Sequence, residues 1–316
     1  MNKLICIFLI VSPMLFSENL DYRQEMRDLI IDLRVYADSQ IEDFIIIPQN
    51  GQELVTSDGE TIGIVQRSYL ASINGTGRED LFFGYDTDDQ QTPDRDWQYL
   101  FDLCRLFEEN GVEVLVTDYC WTGSNVDSSY LKNAQAGFIS FAAGRRELDA
   151  IPLYPSVPFN VNSRDIRNLP DARNFLYLLN SEGFSNQKAF IDAVSATDYD
   201  LLIIDLFYDG MPLKPDDVER LSRKSNGGRR LVLCYMSIGE AEDYRYYWKN
   251  SWARSRPDWI DAENPYWEGN YKVKYWDKSW QDIIFGNSGS YLKKIIDAGF
   301  DGVYLDIIDA FEYYEE

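Results

Sequence analysis

Eight short runs of apolar, often β-branched residues, separated by amphipathic stretches, constrain this chain's fold more than any other feature. Six are clear: Phe44–Ile47, Val112–Thr117, Phe138–Ala142, Leu201–Phe207, Leu231–Tyr235 and Gly302–Ile308. Two weaker ones, Tyr69–Ile73 and Phe175–Leu179, fill the gaps. Near-continuous apolar runs, as opposed to alternating ones, suit strands covered on both faces, which is the condition of a parallel sheet. Between them, Trp97–Glu109, Gln187–Ser195, Pro215–Arg223 and Tyr291–Ala298 carry apolar residues at helical spacing. Asn110-Gly111, Ala136-Gly137, Gly227-Gly228 and Ala298-Gly299 each stand where a helix should stop just before a strand, a place for a left-handed glycine. Strand, helix, glycine and strand, repeated, is the grammar of βαβ units. Eight such strands predict an α/β protein of the (β/α)8 TIM-barrel type, which typically needs ~250 residues. A doubly wound open sheet is the competing arrangement, but no GxGxxG opens a helix after a strand.

Residues 1–17 read as a signal peptide: Met1-Asn2-Lys3 followed by the compact apolar run Leu4–Phe16, closed by Ser17-Glu18-Asn19. The run is short of the ~20 apolar residues that span a membrane. The expectation is a secreted or periplasmic protein in which residues 18–316 form a single domain. Tyr154–Pro170, with Pro155, Pro158 and Pro170, is a long loop joining its two halves. Tyr22–Ala37 places Met26, Leu29, Ile30, Leu33 and Tyr36 on one helical face, expected to pack on the outside of the barrel.

Composition then restricts the chemistry. The 316 residues include no histidine, which excludes Ser-His-Asp and Cys-His catalysis and His-containing zinc sites. With 53 Asp+Glu against 30 Lys+Arg, a formal charge of −23, the surface would repel a phosphate backbone, so nucleic acid is not an expected partner. Cys104, Cys120 and Cys234 have no CxxC spacing. Cys234 sits in an apolar run, and a Cys104–Cys120 bridge is conceivable in an oxidising compartment. Acid–base work falls to carboxylates. Asp86, Asp88, Asp89 and Asp94 resemble a calcium loop but have Gln91 where an EF-hand needs Gly, and a solvated helix entry is the simpler reading. No metal or other cofactor is expected.

In a barrel the active site lies at the C-terminal strand ends. Here those ends carry Asn50, then Glu79-Asp80, Asp118, Asp205, Glu240 with Arg245, and Asp306. Five of the six carry a carboxylate, more polarity than packing requires. Converging carboxylates, amides and aromatics are what glycosidic cleavage uses, with one acid for the leaving oxygen and a second carboxylate to attack or to activate water. Six of the eight tryptophans fall between Trp248 and Trp280. That segment is either a loop over the mouth or a cap with its own small core.

Two of these strand ends also resemble a known family. Val232-Leu233-Cys234-Tyr235-Met236-Ser237-Ile238-Gly239-Glu240-Ala241-Glu242-Asp243-Tyr244-Arg245 is similar to the third-strand signature of glycoside hydrolase family 114, the endo-α-1,4-polygalactosaminidases. Ala298-Gly299-Phe300-Asp301-Gly302-Val303-Tyr304-Leu305-Asp306-Ile307-Ile308-Asp309-Ala310 is similar to its fourth-strand signature. Pro48-Gln49-Asn50-Gly51 and Gly77-Arg78-Glu79-Asp80-Leu81-Phe82 resemble motifs of a prokaryotic branch once labelled cysteinyl-tRNA-synthetase-related. The resemblance implies a barrel with a catalytic Asp after the fourth strand, which is Asp306, and a Glu after the sixth. Because the chain stops soon after Asp306, the Glu is found only if the chain is circularly permuted relative to the polygalactosaminidases, with Phe44–Ile47 as fifth strand; it is then Glu79. Tyr304 departs from the family, which usually has an acid there. The reading that follows is a polysaccharide hydrolase with Asp306 as nucleophile or base and Glu79 as general acid/base. Asp205, Glu240, Asp118, Asn50, Tyr235 and Arg245 would contact the sugar, and Trp259 and Trp276 would stack on it. A galactosamine-containing exopolysaccharide is the substrate the resemblance suggests. The competing functions are a non-catalytic carbohydrate-binding or cell-envelope protein and a carboxylate-based isomerase or lyase on the same fold.

Overall fold

The computed structural model describes residues 20–315, so the expected signal peptide lies outside the described residues. Eight parallel strands carry the fold: β1 (Ile45–Pro48), β2 (Gly75–Glu79), β3 (Glu113–Tyr119), β4 (Ile139–Ala143), β5 (Phe175–Leu178), β6 (Leu201–Ile204), β7 (Leu231–Ser237) and β8 (Gly302–Asp306). They form two parallel sheets, β2-β3-β4 and β1-β8-β7-β6-β5. The sheets are joined where Gln49 pairs with Gly77 and the Asn50 N–H donates to the Gly77 carbonyl at 2.8 Å. At the opposite edges β4 and β5 share no ladder; the Phe141 and Phe175 rings meet there with centroids 5.6 Å apart. Spatial order therefore follows chain order, with β8 returning to β1. The result is a mixed α/β structure whose hydrogen-bonded ladder is open between β4 and β5.

Helices Asp94–Glu109, Gly123–Ala136, Gln187–Ser195, Pro215–Leu221 and Tyr291–Asp297 occupy the strand connections. Gly111, Gly137, Gly227 and Gly299 all have positive φ, as the joints required. The leading helix, Tyr22–Gln40, is capped by the Asp21 carboxylate, which accepts from the Gln24 N–H at 2.9 Å. It buries Met26, Leu29, Ile30, Leu33 and Ala37 against the body of the protein.

The expected strand Tyr69–Ile73 is corrected. Arg67–Leu70 is a helical turn that sends Tyr69 and Leu70 into the core, and the strand is Gly75–Glu79. Its sequence, Gly-Thr-Gly-Arg-Glu, lacks an apolar run for a steric reason. A Cβ on Gly77 would fall 1.9 Å from Tyr304 Oη, and one on Gly75 would fall 2.9 Å from Leu169 Cδ2. A large side chain from β8 fills the interior where β2 contributes none.

The tryptophan-rich segment is a cap with its own core. Glu240–Glu242, Asn270–Val273 and Ile260–Glu263 form a three-stranded antiparallel sheet. Behind it Trp248, Trp252, Trp259 and Trp280 pack in series, with consecutive centroids 5.3, 5.1 and 5.1 Å apart. Cys104, Cys120 and Cys234 are buried and free, so the Cys104–Cys120 bridge is not formed. The acidic loop is a packing device: Asp88 pairs with Arg146 at 2.6 Å, Asp89 accepts from the Trp121 and Thr122 N–H groups, and Asp94 accepts from Trp97 Nε1. No helix among the described residues is long and apolar enough to cross a membrane.

Candidate active site

The C-terminal strand ends open into a cleft of about 910 Å³. Every strand delivers a residue to it at or just beyond its end: Gln49 and Asn50 after β1, Glu79, Tyr119, Arg146 after β4, Tyr177, Asp205 after β6, Tyr235 with Ser237, and Asp306. At its centre one amide spans two carboxylates. Gln49 Nε2 donates to Glu79 Oε2 at 2.9 Å and to Asp306 Oδ1 at 3.0 Å. This orientation of the amide is the one electrostatics favours, since the opposite one would aim Oε1 at two anions. Gln49 Oε1 is buried with no partner.

Each carboxylate has further donors. Glu79 Oε2 also accepts from Asn50 Nδ2 at 2.9 Å, and Oε1 accepts from the Tyr119 hydroxyl. Asp306 accepts from Tyr235 Oη at 2.7 Å and from the Ile307 N–H at 2.8 Å. No lysine or arginine pairs with Glu79 or Asp306 among the described residues. Burial, followed by the charge of Glu79, pushes Asp306 up to about 8. In the turn after β8, Asp309 also lines the cleft; burial raises it to about 6, against the opposing effect of the Arg78 charge.

The second cluster is balanced. Arg245 donates to Glu242 at 2.5 Å and pairs with Asp205 at 2.7 Å, and all three side chains are largely buried. Tyr244 Oη adds a bond to Glu242 at 2.5 Å. Glu240 accepts from Asn264 Nδ2 at 2.8 Å and lies 3.4 Å from Lys272 Nζ. Burial still raises Asp205 and Glu240 above the ordinary carboxylate range.

Asp306, Glu79, Asp205, Glu240, Asn50, Tyr235 and Arg245 are thus brought together in one cleft. Three expected residues are not, and are corrected. Asp118 alternates with Tyr119 on β3 and faces away from the cleft, fully buried. Its carboxylate accepts from the Phe82 and Phe83 N–H groups, Ser129 Oγ and Asn133 Nδ2. Trp259 is 5% exposed inside the cap core. Trp276 packs against Tyr22, Tyr275 and Tyr314, away from the cleft. The aromatic surface at the mouth is instead Trp267, 57% exposed, with Tyr244 and Tyr246. Gln49, Tyr119, Arg146 and Trp267 line the cleft as well, as does Asp309, which the sequence places just beyond the end of β8. Tyr119 shares the inward face with Thr117, but β3 is buried on both faces and the sequence does not mark which of them is inward. No local signal marks Trp267 above its neighbours.

Among the described residues no group of His, Cys, Asp or Glu is arranged to hold a metal ion. A parallel α/β fold with carboxylates, amides and aromatics converging at its strand ends has the site chemistry of a glycoside hydrolase. Comparison with known proteins narrows this class. Residues 162–316 match the model of Glycoside-hydrolase family GH114, and the chain is GH114-like over that half. The match contains β5 to β8, with Asp205, the Arg245 cluster and Asp306; Glu79, Gln49 and Tyr119 lie outside it. Three relatives are uncharacterized proteins. One from Methanocaldococcus jannaschii is 42% identical over 155 residues, 49% of this chain and 43% of the relative. One from Thermotoga maritima is 40% identical over 143 residues, 45% and 41% of the two chains. One from Deinococcus radiodurans is 39% identical over 126 residues, 40% and 38% of the two chains. The chain spans less than half the length of each.

Proposed function

We propose that this chain is a secreted or periplasmic glycoside hydrolase that cuts within a polysaccharide, with Asp306 and Glu79 as its reacting carboxyl groups. The observation that carries the reading is the amide of Gln49 held between them. Two bonds of 2.9 and 3.0 Å to one nitrogen keep Glu79 Oε2 and Asp306 Oδ1 under about 6 Å apart. That is short of the ~6.5–9.5 Å that inverting enzymes leave for a water, and favours a retaining mechanism, for which ~5–5.5 Å is usual. Asp306 attacks the anomeric carbon while Glu79 protonates the leaving oxygen, and Glu79 then takes the proton of the water that releases the sugar from Asp306. The elevated Asp306 supports a second reading with the roles exchanged, since a carboxyl at about 8 keeps its proton at neutral pH. A 2-fluoro sugar that traps the covalent intermediate, followed by peptide mapping, decides between them by the residue it labels.

The fold behind this reading is a (β/α)8 barrel, circularly permuted relative to the polygalactosaminidases. Support comes from the family match, which covers β5 to β8, and from β1 following β8 in space. The substrate is a cationic amino-sugar polymer. Ten carboxylates line the cleft against two arginines, and both arginines are tied to carboxylates. The carboxyl pair weighs against a purely carbohydrate-binding role. Oligosaccharide release from a panel of exopolysaccharides, galactosaminogalactan included, tests the reading; a wild-type chain that releases nothing from any of them overturns it.

A further inference from the structure

We propose that Arg146 is a positioning residue for Glu79, acting through the ring and hydroxyl of Tyr119. This rests on Glu79 being one of the reacting carboxyl groups. Glu79 Oε2 takes both amide donors, Gln49 and Asn50, which leaves Tyr119 Oη as the side-chain donor to Oε1. The Arg146 guanidinium lies over the Tyr119 ring, 3.9 Å from its centroid.

Arg146 is fixed there from three sides. It donates to both oxygens of Asp80 at 3.2 and 3.0 Å, to Asp88 Oδ1 at 2.9 and 2.6 Å, and to the Gly84 carbonyl at 3.0 Å. The backbone is shaped around this clamp. Gly84 has φ +114°, and a Cβ there would fall 2.2 Å from Asp80 Oδ1 and 3.1 Å from Tyr119 Cβ. So much construction around a surface loop is unusual unless the plane of the guanidinium matters.

A cation over a phenol ring draws electron density from it and strengthens the O–H as a donor. A stronger donor favours the ionised form of the carboxyl that accepts from it. Glu79 is otherwise faced by Asp80, by Asp306 and Asp309 from β8 and the turn after it, and by the phenols of Tyr177 and Tyr304. Without Arg146 the balance around Glu79 moves toward the protonated form. The direction is the same whichever carboxyl attacks the sugar.

The test uses the full chain as wild type, Arg146→Gln, Tyr119→Phe and the double variant. Two readouts are taken: the pH profile of kcat/KM, and the 13C NMR titration of the Glu79 carboxyl, assigned with Glu79→Gln. Each single variant should move one limb of the profile, and the Glu79 titration with it, upward by about half a pH unit or more. The double variant should move neither further, because both residues act along one path. Arg146→Lys, which keeps the charge without the flat stack, should recover only part. Lower activity at every pH with both readouts unmoved would reduce Arg146 to a loop anchor and overturn the proposal. So would additive shifts, which mean a direct charge effect, or a rise in KM alone, which means contact with substrate. A wild type that cleaves nothing defeats the hydrolase reading by itself, since the NMR titration still reports the coupling.

Discussion

Two carboxylate clusters line this cleft, and their surroundings differ in one respect. Asp205 and Glu242 close on a buried guanidinium, Arg245, so two negative charges meet one positive charge at contact distance. Glu79 and Asp306 close on an amide, Gln49, which offers donors but no charge. Ion pairing on one side holds the cap strand Glu240–Glu242 to the end of β6. Its absence on the other leaves a pair that holds a proton at neutral pH, with Asp306 raised to about 8. The fold supplies the same kind of residue at both places, and the partner decides whether its charge is compensated or its proton is retained.

Removing the compensating charge should have the largest effect. Arg245→Gln leaves Asp205 and Glu242 buried and unpaired, and urea unfolding should register a loss of roughly 3–5 kcal/mol. A loss under 1 kcal/mol would mean the cluster is solvated and the contrast is false. Neutralising the uncompensated side should do the reverse. Because Asp306 is raised in the folded chain, the native state binds the extra proton, and wild-type stability falls as pH climbs from about 4 through about 8. Asp306→Asn lacks this dependence. It should match wild type near pH 4 and exceed it by a margin that grows as pH rises through about 8. A gap that shrinks with rising pH would contradict the sign.

Glu79→Gln sharpens the same point. It removes the charge that helps to raise Asp306, so the Asp306 titration, followed by 13C NMR, should move to lower pH. The smallest effects separate the tryptophans. Trp267→Ala should raise KM on polymer about tenfold, equivalent to ~1–2 kcal/mol of lost stacking, with kcat little changed. Trp276→Ala should leave KM alone and lower Tm, because its ring packs on Tyr22, Tyr275 and Tyr314.

Seven of the eight strands were legible as apolar runs because both faces of each are covered. β2 was not, since Gly75 and Gly77 stand where apolar side chains would, and the space they leave belongs to Leu169 and Tyr304. Pattern put Asp306 and Glu79 among the strand-end carboxylates, but their choice as a pair came from family likeness, as their proximity joins residues from β8 and β2, far apart in sequence. Asp118 was expected in the cleft because it ends an apolar run. The run could not say that Tyr119, its neighbour of opposite parity, points inward. Trp259 and Trp276 show the same limit, since an aromatic in a cap reads alike in sequence whether it faces its own core or the mouth.

The most direct test of the central claim is oligosaccharide release from a cationic amino-sugar polymer by wild type, Asp306→Asn and Glu79→Gln, without added metal. The account predicts release by wild type and a loss of about a thousandfold or more in kcat in each variant, with polymer binding retained. Release that survives in either variant within tenfold would remove that residue from the chemistry and contradict the account.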